Sequence, residues 1–222
     1  MKRTYCMVAA IIGWLAIGIQ LGVNIDLSDE RGLTHLGSVW RFLGYFTILT
    51  NIVVATSYSV KLAIPESFLG RFLDRPEVDS GVLMAICTVG LIYAVVLQSL
   101  WDPQGAQLVG DVLLHYVVPL GYLAYWAIFV PRGILRWSFV FGWLIYPLGY
   151  LLYALVRGAF DGWYPYPFID VTSLGYGGVL LSVGALATLF LLAGLLIVVV
   201  DKAAAHLIPR PVVQPQVDRL PS

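Results

Sequence analysis

Six apolar runs separated by short polar stretches organise the chain: Thr4–Ile25, Ser38–Ile64, Gly81–Trp101, Val112–Val130, Trp137–Val156 and Thr172–Val200. A helix needs about 20 apolar residues to cross a hydrocarbon core roughly 30 Å thick, and each run approaches or exceeds that length. None alternates apolar and polar residues with the period of two expected of a membrane β-strand. The pattern predicts an all-α fold, an integral membrane bundle of six transmembrane helices over residues 1–208. The last stretch, 209–222, reads "PRPVVQPQVDRLPS"; it is polar and proline-punctuated, and is expected to be a disordered cytoplasmic tail. The opening "MKR" has the basic start of a signal peptide. The apolar run behind it is too long, however, and no small-x-small cleavage site follows, so an uncleaved first helix is expected.

Composition agrees with the pattern. The chain is 59% hydrophobic and 12% charged, against about 25% charged in a typical soluble domain. Its zero net charge hides an asymmetry. Lys2, Arg3, Lys61, Arg71, Arg75, Arg132, Arg136, Lys202, Arg210 and Arg219 fall at one side of the six runs, and only Arg31, Arg41 and Arg157 at the other. The positive-inside rule then places both termini in the cytoplasm. No basic cluster with interleaved aromatics marks a nucleic-acid partner. Cys6 and Cys87 lie in different runs and form no CxxC, so both are expected to be buried thiols.

Polar side chains within apolar runs narrow the search, because each costs free energy in hydrocarbon. Gly18 and Gly22 form a GxxxG, and Gly178 with Ser182 repeats the small-residue spacing; close helix packing is expected at both. In the second run Thr47, Thr50 and Asn51 share one helical face. Threonines in membranes commonly bond back to a carbonyl one turn earlier, and Asn51 is equally suited to joining helices. His115 stands four residues after Asp111, a spacing that stacks carboxylate and imidazole on one face. That pair fits either a base with an orienting carboxylate or an interfacial histidine beside an ordinary boundary aspartate. His35 and His206 lie on other segments without ligand spacing. With no HExxH, GxSxG or Gly-rich phosphate loop, no metal and no cofactor are expected. Before the sixth run, "DGWYPYPFIDV" mixes four aromatics with Pro165 and Pro167, and suits either a headgroup anchor or the lid of a pocket.

Three of these segments, "RFLGYFTILTN", "LLHYVVPLGY" and "DGWYPYPFIDV", together resemble the androgen-induced-gene family of membrane proteins, and most nearly its bacterial six-span branch. The resemblance covers roughly Trp40 to Val171, the His-x-x-x-Pro of His115 and Pro119 being its more specific part. It implies a bacterial cytoplasmic (inner) membrane. It also implies a threonine hydrolase of lipid esters, such as fatty acid esters of hydroxy fatty acids, with Thr47 as nucleophile and His115 as base. One departure stands. The family pattern has asparagine three residues after the threonine, whereas Asn51 is four after Thr47, and counting back three lands on Ile48, which has no hydroxyl. The aromatic preceding Thr47 favours that residue, with Thr50 as fallback.

In this reading His115 activates the Thr47 hydroxyl, Asp111 orients the ring, and Asn51 donates to the oxyanion. The substrate is an amphiphilic ester entering among membrane lipids. Depth is its weak point. On the run boundaries Thr47 lies about 13 Å below the start of its helix and His115 about 5 Å below the start of its own. The alternatives are a non-catalytic lipid- or solute-binding protein or small transporter, and a structural protein whose polar residues only pack the bundle.

Overall fold

A backbone amide in hydrocarbon has no water to bond, so an apolar run must satisfy its own hydrogen bonds as helix. The computed structural model describes residues 1–29 and 32–207, and among these there is helix and no strand. Six helical stretches are long and apolar enough to cross a membrane: Lys2–Ser28, Phe46–Ala63, Pro76–Leu100, Gly105–Phe129, Phe139–Asp161 and Val171–Leu207. The tail expected over 209–222, and Arg31, Arg210 and Arg219 with it, lie outside the described residues.

In chain order the helices are α1 (Lys2–Asp29), α2 (His35–Phe42), α3 (Phe46–Ala63), α4 (Phe68–Leu73), α5 (Pro76–Ile92), α6 (Gly105–Val112), α7 (Val118–Phe129), α8 (Phe139–Trp143), α9 (Ile145–Asp161) and α10 (Val171–Leu207). A π-helical turn over Tyr93–Leu97 continues α5, and another over Leu113–Val117 joins α6 to α7. The α3 helix packs on α1 and α5, and α5 also packs on α7 and α10. Their shared interior holds Tyr58, Leu83, Met84, Tyr122 and Tyr125, all nearly inaccessible. Large apolar side chains such as Leu180, Leu181, Leu192 and Leu196 face outward from α10, as a lipid-facing surface requires.

The small-residue expectation fails in α1. Gly18 and Gly22 are exposed, and a Cβ on either would meet nothing within 4 Å among the described residues. Close approach occurs instead at Gly13, where a Cβ would lie 3.1 Å from that of Ala55. Nor does a Cβ at Gly178 meet another helix; its nearest neighbour is Leu174, one turn back.

The second run is not one helix. It breaks between α2 and α3 at Leu43–Tyr45. A break inside a bundle exposes carbonyl and amide groups that must find partners, and tyrosines from distant segments supply them. Tyr153 donates to the Leu43 carbonyl at 3.2 Å and Tyr150 to that of Gly44 at 3.0 Å. The freed amide of Thr47, in the first turn of α3, donates to the Tyr166 hydroxyl at 3.3 Å. Gly44 is needed here, because a Cβ would come within 2.7 Å of both Arg157 Nη1 and the Trp163 ring. Gly162, left-handed at φ +69°, ends α9 and turns the chain into the segment 163–170 that carries Trp163 and Tyr166.

Candidate functional site

The break moves Thr47 from the expected depth to the beginning of α3, one residue after Phe46. His115 moves the other way, since helix begins at Gly105 rather than Val112 and carries it about 15 Å along. Helix boundaries thus replace the expected depths of both residues, and Thr47 and His115 open on one cavity of about 480 Å³. Each is mostly covered, Thr47 8% and His115 9% exposed, so the cavity is their access.

Pro119 shapes the backbone around His115. It has no N–H, and in the π-helical turn Val118 donates to the Leu113 carbonyl. The Leu114 carbonyl is left without its helical donor and accepts from Asn51 Nδ2 at 3.3 Å; the same amide group donates to the Thr47 carbonyl at 2.8 Å. The Thr47 and Leu114 carbonyl oxygens are therefore no farther apart than the sum of those distances. Both Asn51 hydrogens are engaged, so the expected donation from Asn51 to an oxyanion is not available. Asn51 pins α3 to the π-helical turn instead.

The imidazole is held from two sides. Its Nδ1 lies 2.9 Å from the Asp111 carbonyl oxygen and 3.2 Å from Asp111 Oδ1. The hydrogen bond is the one to the carbonyl, and Oδ1 is buried without a hydrogen bond of its own. A carbonyl can only accept, so Nδ1 carries the hydrogen, and in the neutral ring Nε2 is the acceptor. Tyr93 stacks on the ring with centroids 3.9 Å apart and planes at 14°. Its hydroxyl donates to Asp111 Oδ2. Gly90 lets α5 approach, because a Cβ there would lie 2.8 Å from the His115 carbonyl oxygen. Gly90→Ala is therefore expected to shift the His115 backbone and to cost about 1–3 kcal/mol as overpacking, read as a lower melting temperature in detergent.

Thr47 meets the segment 163–170 at Tyr166. Its Oγ1 lies 3.4 Å from the Tyr166 hydroxyl, which also accepts the Thr47 amide. Tyr166 stacks on Phe168, with centroids 5.1 Å apart and planes at 6°, and meets Tyr45 edge-on. Burial pushes the Tyr166 hydroxyl up to about 12, so it is a neutral phenol at ordinary pH. Trp163 and Pro165 of the same segment line the cavity. Arg41 and Arg157 flank the Trp163 ring, 5.5 and 5.4 Å from its centroid. Four residues of the "WYPYPF" stretch, Trp163, Pro165, Tyr166 and Pro167, thus line the cavity.

A narrower apolar slot of about 80 Å³ runs between α5, α9 and α10, lined among others by Phe46, Val89, Leu148 and Phe190. Thr47, Leu97 and Tyr166 line slot and cavity alike. Thr50 lines neither; it is fully buried, with its hydroxyl 3.1 Å from that of Tyr146. Among the described residues no group of three His, Cys, Asp or Glu side chains is placed to hold a metal ion.

Sequence reasoning missed Tyr93 and Tyr166 as partners of the candidate pair, and missed a second polar group altogether. Lys61 and Asp79 form an ion pair with side chains 4% and 2% exposed. Tyr122 donates to Asp79 Oδ1 at 2.7 Å, and Lys61 also donates to Tyr125 at 3.3 Å. The available signal was Asp79 two residues before the third run and Lys61 near the end of the second.

Comparison with known proteins adds no neighbour: no family model, curated protein or solved structure matches the chain. What fold and site define is a six-span helical membrane protein with a cavity of mixed polar and apolar lining that shares a threonine with an apolar slot.

Proposed function

We propose that the protein is an intramembrane hydrolase of lipid esters, with Thr47 as nucleophile and His115 as general base. One observation carries the reading: Thr47 and an imidazole fixed with Nε2 as its free base open on the same cavity. A threonine hydroxyl is a weak nucleophile at its ordinary pKa and needs such a base. The buried Asp111 carboxylate faces the imidazolium that forms when Nε2 takes the hydroxyl proton. The slot and cavity meeting at Thr47 suit an ester whose acyl chain lies among apolar side chains while its carbonyl reaches the polar spot. The resemblance to the androgen-induced-gene family supports the same pair, and fatty acid esters of hydroxy fatty acids are the substrate it favours. The excess of basic residues at one side favours cytoplasmic termini, with the cavity toward the outer face, and the resemblance favours a bacterial inner membrane.

A lipid- or solute-binding protein or small transporter is the second reading, favoured by the interrupted second run and the buried Lys61–Asp79 pair. Labelling by a fluorophosphonate probe in detergent separates the two. The hydrolase is expected to label, to lose labelling in Thr47→Ala and His115→Ala at unchanged melting temperature, and to keep it in Thr50→Ala. Labelling that persists in Thr47→Ala excludes Thr47 as nucleophile, and a wild type that never labels favours the binding protein.

A further inference from the structure

Attack on an ester carbonyl leaves negative charge on its oxygen, and a buried site must offer that oxygen a donor. Asn51, one turn along α3, has both amide hydrogens on backbone carbonyls. The donor has to come from elsewhere in the walls around Thr47.

We propose that the Tyr166 hydroxyl is the oxyanion donor, a catalytic residue additional to Thr47 and His115; this rests on the hydrolase reading above. Three observations converge on it. First, the Thr47 amide donates to the Tyr166 oxygen, which orients the phenol and leaves its single hydrogen for another acceptor. Second, that hydroxyl is 3.4 Å from Thr47 Oγ1. The oxyanion is borne by the same carbon that Oγ1 attacks, so a donor at this separation is within reach of it. Third, Tyr166 belongs to both the apolar slot and the larger cavity that holds His115, the junction where a carbonyl must lie if its acyl chain occupies the slot.

The ring is also held in place. It stacks on Phe168 and is met edge-on by Tyr45, and Tyr166 is only 8% exposed. A donor fixed before substrate arrives needs no reorganisation during the reaction, which is the source of its effect. Burial keeps the phenol protonated to about 12, so it donates a hydrogen bond without giving up its proton.

The step balances as follows. His115 Nε2 takes the Thr47 hydroxyl proton while Oγ1 bonds to the carbonyl carbon. The carbonyl π pair moves to oxygen, where Tyr166 donates to it. The carbon–oxygen bond to the alcohol then breaks, His115 returns its proton to the leaving oxygen, and an acyl-threonine remains. Water repeats the sequence with His115 as base, Tyr166 donating to the same oxygen, and the acid is released with Thr47 restored.

Tyr166→Phe tests this on the full chain in detergent micelles, with p-nitrophenyl palmitate as substrate. Phenylalanine keeps the ring and its stacking and removes only the hydroxyl. The expected result is a fall in kcat of about 10²–10³-fold, the loss typical of one oxyanion donor, with KM changed less than about threefold and melting temperature nearly preserved. Replacing Tyr166 by 3-fluorotyrosine, which retains the ring and makes the phenol more acidic, is expected to restore kcat to near wild type. A purely structural hydroxyl would move KM or stability and leave kcat alone. An active wild type whose Tyr166→Phe form keeps its kcat overturns the role of Tyr166 alone. A wild type that hydrolyses no ester and takes no fluorophosphonate overturns the hydrolase reading, and the oxyanion role with it.

Discussion

Alanine at His115 is expected to lower turnover of p-nitrophenyl palmitate by about 10²–10⁴-fold, the contribution of a positioned general base. The loss should fall on kcat, since the imidazole is needed when the threonine proton leaves and adds little to binding of the acyl chain. Asp111→Asn is expected to do less. The Asp111 main-chain carbonyl, 2.9 Å from His115 Nδ1, survives the change and still selects the tautomer with Nε2 free. What disappears is the negative charge 3.2 Å from Nδ1. Such a charge-assisted contact contributes roughly 1.5–3 kcal/mol, or about 10- to 150-fold in rate. Steady-state kinetics in micelles, with melting temperatures as control, check the order. Equal losses in the two variants would mean that the carboxylate, not the carbonyl, sets the tautomer. Full turnover in His115→Ala would remove His115 from the mechanism.

That division of labour within one aspartate was not legible in sequence, where the spacing of Asp111 and His115 showed only that they share a face. The number of spans was legible, because run length against hydrocarbon thickness is a one-dimensional property. The break in the second run was not. Gly44 stands among Phe42, Leu43, Tyr45 and Phe46, and nothing local separates it from a tolerated helical glycine. Its cause lies more than a hundred residues away, in Tyr150, Tyr153 and Tyr166, which take up the freed backbone groups. Since Thr47 sits just past that break, its depth could not be judged from the run boundaries. Pro119 is plain in the His-x-x-x-Pro spacing, yet its effect is one turn earlier, where it leaves the Leu114 carbonyl to Asn51. The GxxxG of Gly18 and Gly22 misled because spacing identifies a smooth face without saying whether another helix covers it.

Breaking the Lys61–Asp79 pair is expected to have the largest effect on stability. Removing one partner of a buried ion pair strands the other charge, at a cost of about 3–5 kcal/mol. The two single changes should not be equal. Lys61 lies in the last turn of α3, and its long flexible stem allows the ammonium to move toward water when Asp79 becomes asparagine. Asp79 has no such stem. In Lys61→Met its carboxylate, 2% exposed, stays in place and, among the described residues, keeps only the Tyr122 hydroxyl as donor. Lys61→Met is therefore expected to lower the melting temperature more than Asp79→Asn. The double variant Lys61→Met/Asp79→Asn strands no charge and leaves an amide oxygen for Tyr122, so its cost should fall well below the sum of the singles. Thermal unfolding of all four proteins in one detergent gives the coupling directly as a double-mutant cycle. Strictly additive losses would show that the two side chains stabilise the bundle independently, and that their proximity contributes nothing to it. Strong coupling with unchanged fluorophosphonate labelling in the double variant would make the pair a pin between α3, α5 and α7, separate from the chemistry proposed at the far end of α3.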